Sequence, residues 1–138
     1  MTTPTPSEPF IERFPGFEFD WFAQDAEGHV ALFSTGGFAP VPRSVQAHYQ
    51  DHDRAASSIE VPHWGSLNVW KDYARQGLYV FDWVPNVGPY RQLEQPEGEM
   101  PAALQHLLLQ ITGLPQLTGV FRQVTSIIVG KDDEMTPA

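Results

Sequence analysis

The chain has 138 residues, 41% of them hydrophobic and 12% aromatic, which suits one domain with one packed core and lies far from the composition of disordered chains. Eight Lys and Arg stand against seventeen Asp and Glu, and the resulting net charge of −9 would repel a phosphate backbone, so nucleic acid is excluded as a partner. Cysteine is absent, which removes disulfides, thiolate metal sites and a cysteine nucleophile and fits a cytoplasmic setting.

Pro4, Pro6, Pro9 and Pro15 make residues 1–15 an extended N-terminal arm, without the basic and apolar regions of a secretory leader. No apolar run approaches the roughly 18 residues of a membrane span, so no membrane partner is expected. The folded domain is expected over residues 16–130, followed by an acidic flexible tail over 131–138. Within it, Phe17-Glu-Phe-Asp-Trp21 alternates apolar and acidic residues, the pattern of a half-buried strand with Phe17, Phe19 and Trp21 on one face. Asp25-Ala-Glu-Gly28 reads as a tight turn and His29-Val-Ala-Leu-Phe33 as the returning strand.

The Gly- and Pro-rich stretch 34–42 is a loop. Val45, Tyr49, His52, Ala56 and Ile59 then recur at helical spacing, predicting one helix over 43–59. A second helix is predicted over 66–76, with Leu67, Trp70 and Ala74 on its apolar side and Gly77 as its stop. Leu78-Tyr-Val-Phe-Asp-Trp-Val84 is the best central strand, and Tyr90-Arg-Gln-Leu-Glu94 its hairpin partner. Leu104, Leu107, Leu108 and Ile111 mark a third helix with Pro101 at its first position, and Gly119–Val129 offers a last strand. Hairpins with helices gathered between them indicate an α+β fold. The expected architecture is a four- to five-stranded antiparallel or mixed sheet with two or three helices packed on one face.

The chain contains no G-x-S-x-G elbow, P-loop, G-x-G-x-x-G or H-E-x-x-H pattern. Two weaker constellations could carry chemistry. His48 and His52 stand four apart on the predicted helix, a spacing that can place two imidazoles on one metal, but His52 falls in the apolar stripe and His48 at its edge, so the first reading is a partly buried, hydrogen-bonded pair with the metal as the alternative. Phe19-Asp20-Trp21 and Phe81-Asp82-Trp83 repeat one tripeptide on two strands. If those strands were neighbours, Asp20 and Asp82 would form a carboxylate dyad with one raised pKa; otherwise each is a solvated residue of an amphipathic strand. Of four tryptophans, Trp21, Trp70 and Trp83 fall on apolar faces, whereas Trp64 follows Pro62-His63 in a loop and reads either as an exposed anchor or as an edge-of-core residue.

Asp20-Trp-Phe-Ala-Gln-Asp-Ala-Glu-Gly-His-Val-Ala-Leu-Phe-Ser-Thr-Gly-Gly37 with Pro40-Val-Pro42, and Gln76-Gly-Leu-Tyr-Val-Phe-Asp-Trp83 with Pro89-Tyr-Arg91, resemble small bacterial cytosolic proteins, some of which look like immunity proteins of polymorphic toxin or type VI secretion systems. The resemblance spans residues 17–92 and carries over no catalytic residue or cofactor. It implies a non-enzymatic protein that binds a cognate toxin stoichiometrically, and a basic toxin would match the acidic balance. The recognition face would then comprise the acidic stretches 18–27 and 94–99, with Asp25, Glu27, Glu94 and Glu97 as contacts and Trp64 and Phe38 as apolar anchors. The alternatives are a small hydrolase using Asp20 and Asp82 or a metal on His48 and His52, and a scaffold domain of another kind.

Overall fold

The computed structural model describes residues 19–37, 39–130 and 134–138. Strands β1 (Asp20–Gln24) and β2 (Val30–Ser34) form the antiparallel hairpin that the alternation predicts, with Asp20 opposite Ser34 and Gln24 opposite Val30. Gly28 closes the turn at φ +86°, a conformation in which a Cβ would be strained. Phe17 and Phe38, expected on the first strand and in the following loop, lie outside the described residues.

From β2 the chain crosses over through α1 (Arg43–Ala47), α2 (Tyr49–Ser57) and α3 (Val69–Arg75), and β3 (Tyr79–Trp83) returns parallel to β2. A crossover of this kind is what a parallel pair requires. Antiparallel β4 (Tyr90–Glu94) follows, then α4 (Ala102–Leu109), a short 3-10 turn (Phe121–Gln123), β5 (Ser126–Val129) and β6 (Met135–Pro137). The six strands lie in sequence order in one mixed sheet, β2 and β3 being its parallel pair. The fold is therefore α+β, as expected, with more strands than the four or five predicted. The added strand comes from Met135–Pro137, in the segment read as a flexible tail: Met135 pairs opposite Val129 and is buried.

The helices do not all lie on one face. Successive residues of β1, β2 and β3 point to opposite sides of the sheet, and both sides are buried, so these strands read as continuous apolar runs rather than half-buried ones. One side packs Phe22, Leu32 and Val80 beneath Ala55, Val69, Tyr73 and Leu108 of α2, α3 and α4. The other packs Trp21, Phe33, Phe81 and Tyr90 with Val45 of α1, Phe121 and Met135. Phe19 beside β1 and Met135 of β6 belong to the same cluster, so the sheet curls until its two ends share one core. There Trp21 stacks on Phe33 at 4.3 Å, and its indole N–H donates to Tyr90 Oη at 3.1 Å; Tyr90 in turn donates to the Pro40 carbonyl at 2.8 Å. Trp83, read as core, is only half-buried and meets Tyr90 edge-on.

The single helix expected over 43–59 is broken at His48 (φ −126°, ψ 33°). Val45 of α1 and Tyr49 at the start of α2 enter one core, whereas Ala55 further along α2 and Ile59 just beyond it enter the other. The second helix begins three residues later than predicted, leaving Leu67 in the preceding loop at 85% exposure rather than in the core. Pro101 is the cap residue before α4 rather than its first helical residue. Gly77 ends α3 as predicted, at φ +91°, where a Cβ would stand 2.5 Å from the Met100 backbone nitrogen.

β1 lies at the sheet edge, and its outer backbone groups are covered rather than open. Phe22 N–H donates to His52 Nδ1 at 3.1 Å, Gln24 N–H to the Pro115 carbonyl at 2.9 Å, and Leu117 N–H to the Gln24 carbonyl at 2.8 Å. No helix among the described residues is long and apolar enough to cross a membrane.

Candidate functional site

The connection between α2 and α3 displays the largest exposed apolar side chains near a concave surface. Trp64 is 73% exposed and Leu67 85%. Their loop is nonetheless tightly bonded. Ser66 N–H and Ser66 Oγ both donate to the His63 carbonyl at 3.1 and 3.0 Å, and Asn68 N–H returns to Ser66 Oγ at 3.2 Å. Trp64 N–H donates to the Val61 carbonyl and Val69 N–H to that of Ser66. The whole loop is tied to α3 through Asp72, a buried carboxylate that accepts His63 N–H at 2.8 Å and meets His63 Nδ1 at 2.8 Å. Burial opposes ionisation of Asp72, but the two His63 hydrogen bonds, with Arg75 behind them, outweigh it and hold its carboxyl below the ordinary range.

Two clefts flank Trp64. One, of about 460 Å³, is lined by Asp20, Trp64, Leu67, Trp70 and Tyr73 among others. The second, of about 270 Å³, is bounded by Asp20, Asp53, Val61, Trp64 and Tyr73. A third, of about 500 Å³, lies apart from them beside His29, Tyr79, Gln95, Glu99 and Gln105.

The structure separates the remaining predicted residues from this place. Asp25 is buried and acts within the fold: its carboxylate accepts N–H groups from Glu27 at 3.0 Å, His29 at 2.9 Å and Phe121 at 2.8 Å. It is therefore a clasp between the first hairpin and the segment before β5, not a surface contact. Glu27 forms a two-pronged pair with Arg122 at 2.9 and 3.1 Å, which keeps its carboxyl below the usual range. Glu94 and Glu97 both hold Lys71, at 3.0 and 3.2 Å, and their hydrogen bonds raise the lysine pKa. Much of the acidic face expected to be open is thus engaged in internal pairs. Phe38 lies outside the described residues, and Trp64 alone of the six expected contacts is both described and strongly exposed.

Asp20 and Asp82 are not on neighbouring strands. Both register against Ser34 of β2, so about 10 Å of sheet separates them, too far to share a proton. His52 is fully buried and its Nδ1 already accepts the Phe22 N–H, so that nitrogen is not open to a metal; burial lowers its pKa to about 4, opposed by Asp51 and reinforced by His48. Among the described residues the trio that could gather round a metal ion is Asp25, Glu27 and His29, whose ligand atoms lie within 4.8 Å, but Asp25 and Glu27 are already engaged as described.

The His63–Asp72 pair was not singled out in the sequence. A signal existed: Asp72 sits between Val69 and Tyr73 on the buried side of α3, where a carboxylate demands a partner. The partner, nine residues upstream in a loop, has no periodic signature. A carboxylate holding one imidazole nitrogen also orients bases in hydrolases. Here the nearby Ser66 hydroxyl is engaged in the turn itself, so the pair acts as a brace.

No protein-family model matches the chain, and neither a curated protein nor a solved structure matches it.

Proposed function

We propose that the protein is a cytoplasmic, non-enzymatic binding module of the toxin-immunity type, which neutralises a cognate protein by docking on it through the Trp64 loop. The observation that carries this reading is the pairing of exposure with hydrogen-bonded backbone: Trp64 and Leu67 are offered to solvent from a loop tied together by Asp72 and Ser66. A backbone already hydrogen-bonded before binding reduces the conformational freedom lost on docking, and aromatic residues dominate interface energetics. The acidic balance of the chain supports a basic partner, because opposite charges speed encounter. The hydrolase alternative has less support, since β2 separates the two carboxylates it would use.

The test is a calorimetric titration against a catalytically inactive form of the protein encoded by the adjacent gene. One-to-one binding of nanomolar or higher affinity is expected, with Trp64→Ala weakening it roughly thirtyfold, the scale of an aromatic hot spot. The same variant should unfold within about 0.5 kcal/mol of the parent, because the side chain it removes is exposed. Absence of heat at several temperatures would remove that partner; tight binding unaffected by Trp64→Ala would remove this face.

A further inference from the structure

The two clefts beside Trp64 share Asp20, Trp64 and Tyr73, so together they form one groove with an indole standing in it. The smaller cleft also carries Asp53, an exposed carboxylate that makes no ion pair among the described residues. No Lys or Arg is among the described residues lining either cleft. Several carboxylates elsewhere meet the molecule's own cations: Glu27 with Arg122, Glu94 and Glu97 with Lys71, Asp51 with Arg54. Asp53 and the displayed Trp64 ring therefore line one cleft with no Lys or Arg among its described lining residues.

A flat guanidinium can lie on an indole face while its edge donates to a carboxylate, whereas an ammonium is a more strongly hydrated point charge without that planar fit. We infer that the Trp64 groove receives an arginine side chain of a partner protein, stacked on Trp64 and hydrogen-bonded to Asp53. This rests on the docking reading above and names the chemical group the partner must supply.

The experiment is a nuclear magnetic resonance titration of the isotope-labelled full chain with N-acetylarginine amide and, separately, with N-acetylcitrulline amide, a near-isostere without the charge. The expected result is a saturable shift of the Trp64 indole N–H and Asp53 amide signals with the arginine compound alone. Asp53→Asn should weaken that binding roughly threefold to fivefold, and Trp64→Ala should abolish the response at Asp53. Both positions are exposed, so neither variant threatens the fold. Equal shifts with both compounds, or none that saturates, would overturn the inference. The two readings fail separately. A partner that needs Trp64 but is not displaced by excess arginine amide leaves the docking role standing and removes the arginine. Saturable arginine binding, with no partner found by calorimetry, does the reverse.

Discussion

Two loops of this molecule are organised by a single buried carboxylate, and they do opposite things with it. At the β1 margin, Asp25 gathers N–H groups from Glu27, His29 and Phe121, joining segments 96 residues apart. Neighbouring groups there are engaged as well: Glu27 is paired with Arg122, and His52 and the Pro115–Leu117 segment cover the strand edge. In the α2–α3 connection, Asp72 accepts from His63, nine residues away, and from Arg75 one turn along its own helix, and the loop so braced leaves Trp64 and Leu67 in solvent. A carboxylate that joins distant segments stabilises the fold; one that joins a loop to its adjoining helix stabilises a surface. The lesson is that burial of a polar group does not by itself distinguish the two, and the sequence distance it spans does.

The strongest way to break this comparison is Asp25→Ala. It leaves three backbone donors without their acceptor, and a loss of about 3 kcal/mol in urea unfolding is expected. A loss below about 1 kcal/mol would mean that water replaces the clasp and that the β1 margin is no more closed than the other loop.

Acid titration examines the same margin through His52. Its pKa is lowered from 6.5 to about 4 in the fold, so as pH falls the unfolded chain takes up the proton first. The stability contributed by the neutral imidazole is complete above pH 6.5, declines as pH falls and is lost once pH reaches about 4. The whole span is worth about 3 kcal/mol at most. Urea midpoints measured between pH 7 and pH 4 should therefore fall more steeply for the parent chain than for His52→Gln, which keeps an acceptor for Phe22 N–H but does not titrate. Parallel curves would show that the histidine is not buried in this way.

The smallest global effect is expected at Asp72. Asp72→Ala should move the unfolding midpoint less than Asp25→Ala does, while amide exchange at His63 rises sharply because its acceptor is gone. An equal fall in global stability for the two variants would erase the distinction between clasp and brace.

Much of the fold could be read in advance because its causes are local. The first hairpin follows from the alternation around Phe19 and Trp21 and from Gly28 at positive φ; the central strand follows from Tyr79 to Trp83, and the end of α3 from Gly77. What escaped reading depends on partners distant in sequence. The charged run Lys131-Asp-Asp-Glu134 suggests a loose tail, yet Met135–Pro137 after it pair with β5, and Met135 reaches the core shared with Phe19. The helix break at His48 has no turn residue to announce it, and the segment around it serves both cores, with Val45 and Tyr49 in one and Ala55 and Ile59 in the other.

The candidate site divides in the same way. Trp64 stood out in the sequence because it follows Pro62-His63 in a stretch without helical or strand periodicity. Asp25, Glu27, Glu94 and Glu97 were read as an open acidic face because composition counts charges without showing which cations they meet. Asp20 and Asp82 were read as potential neighbours because identical tripeptides say nothing of strand order, and β2 runs between them. By itself, then, the sequence determined most of the element types, the turn at Gly28 and the helix stop at Gly77, the acidic balance and the exposed loop aromatic Trp64, all of which depend on residues within a few positions of each other. The tertiary structure alone decided strand order, the curl that gives the sheet two buried faces, and which carboxylates are already engaged, because each of these is set by contacts between residues tens of positions apart, whose pairing leaves no periodic trace along the chain.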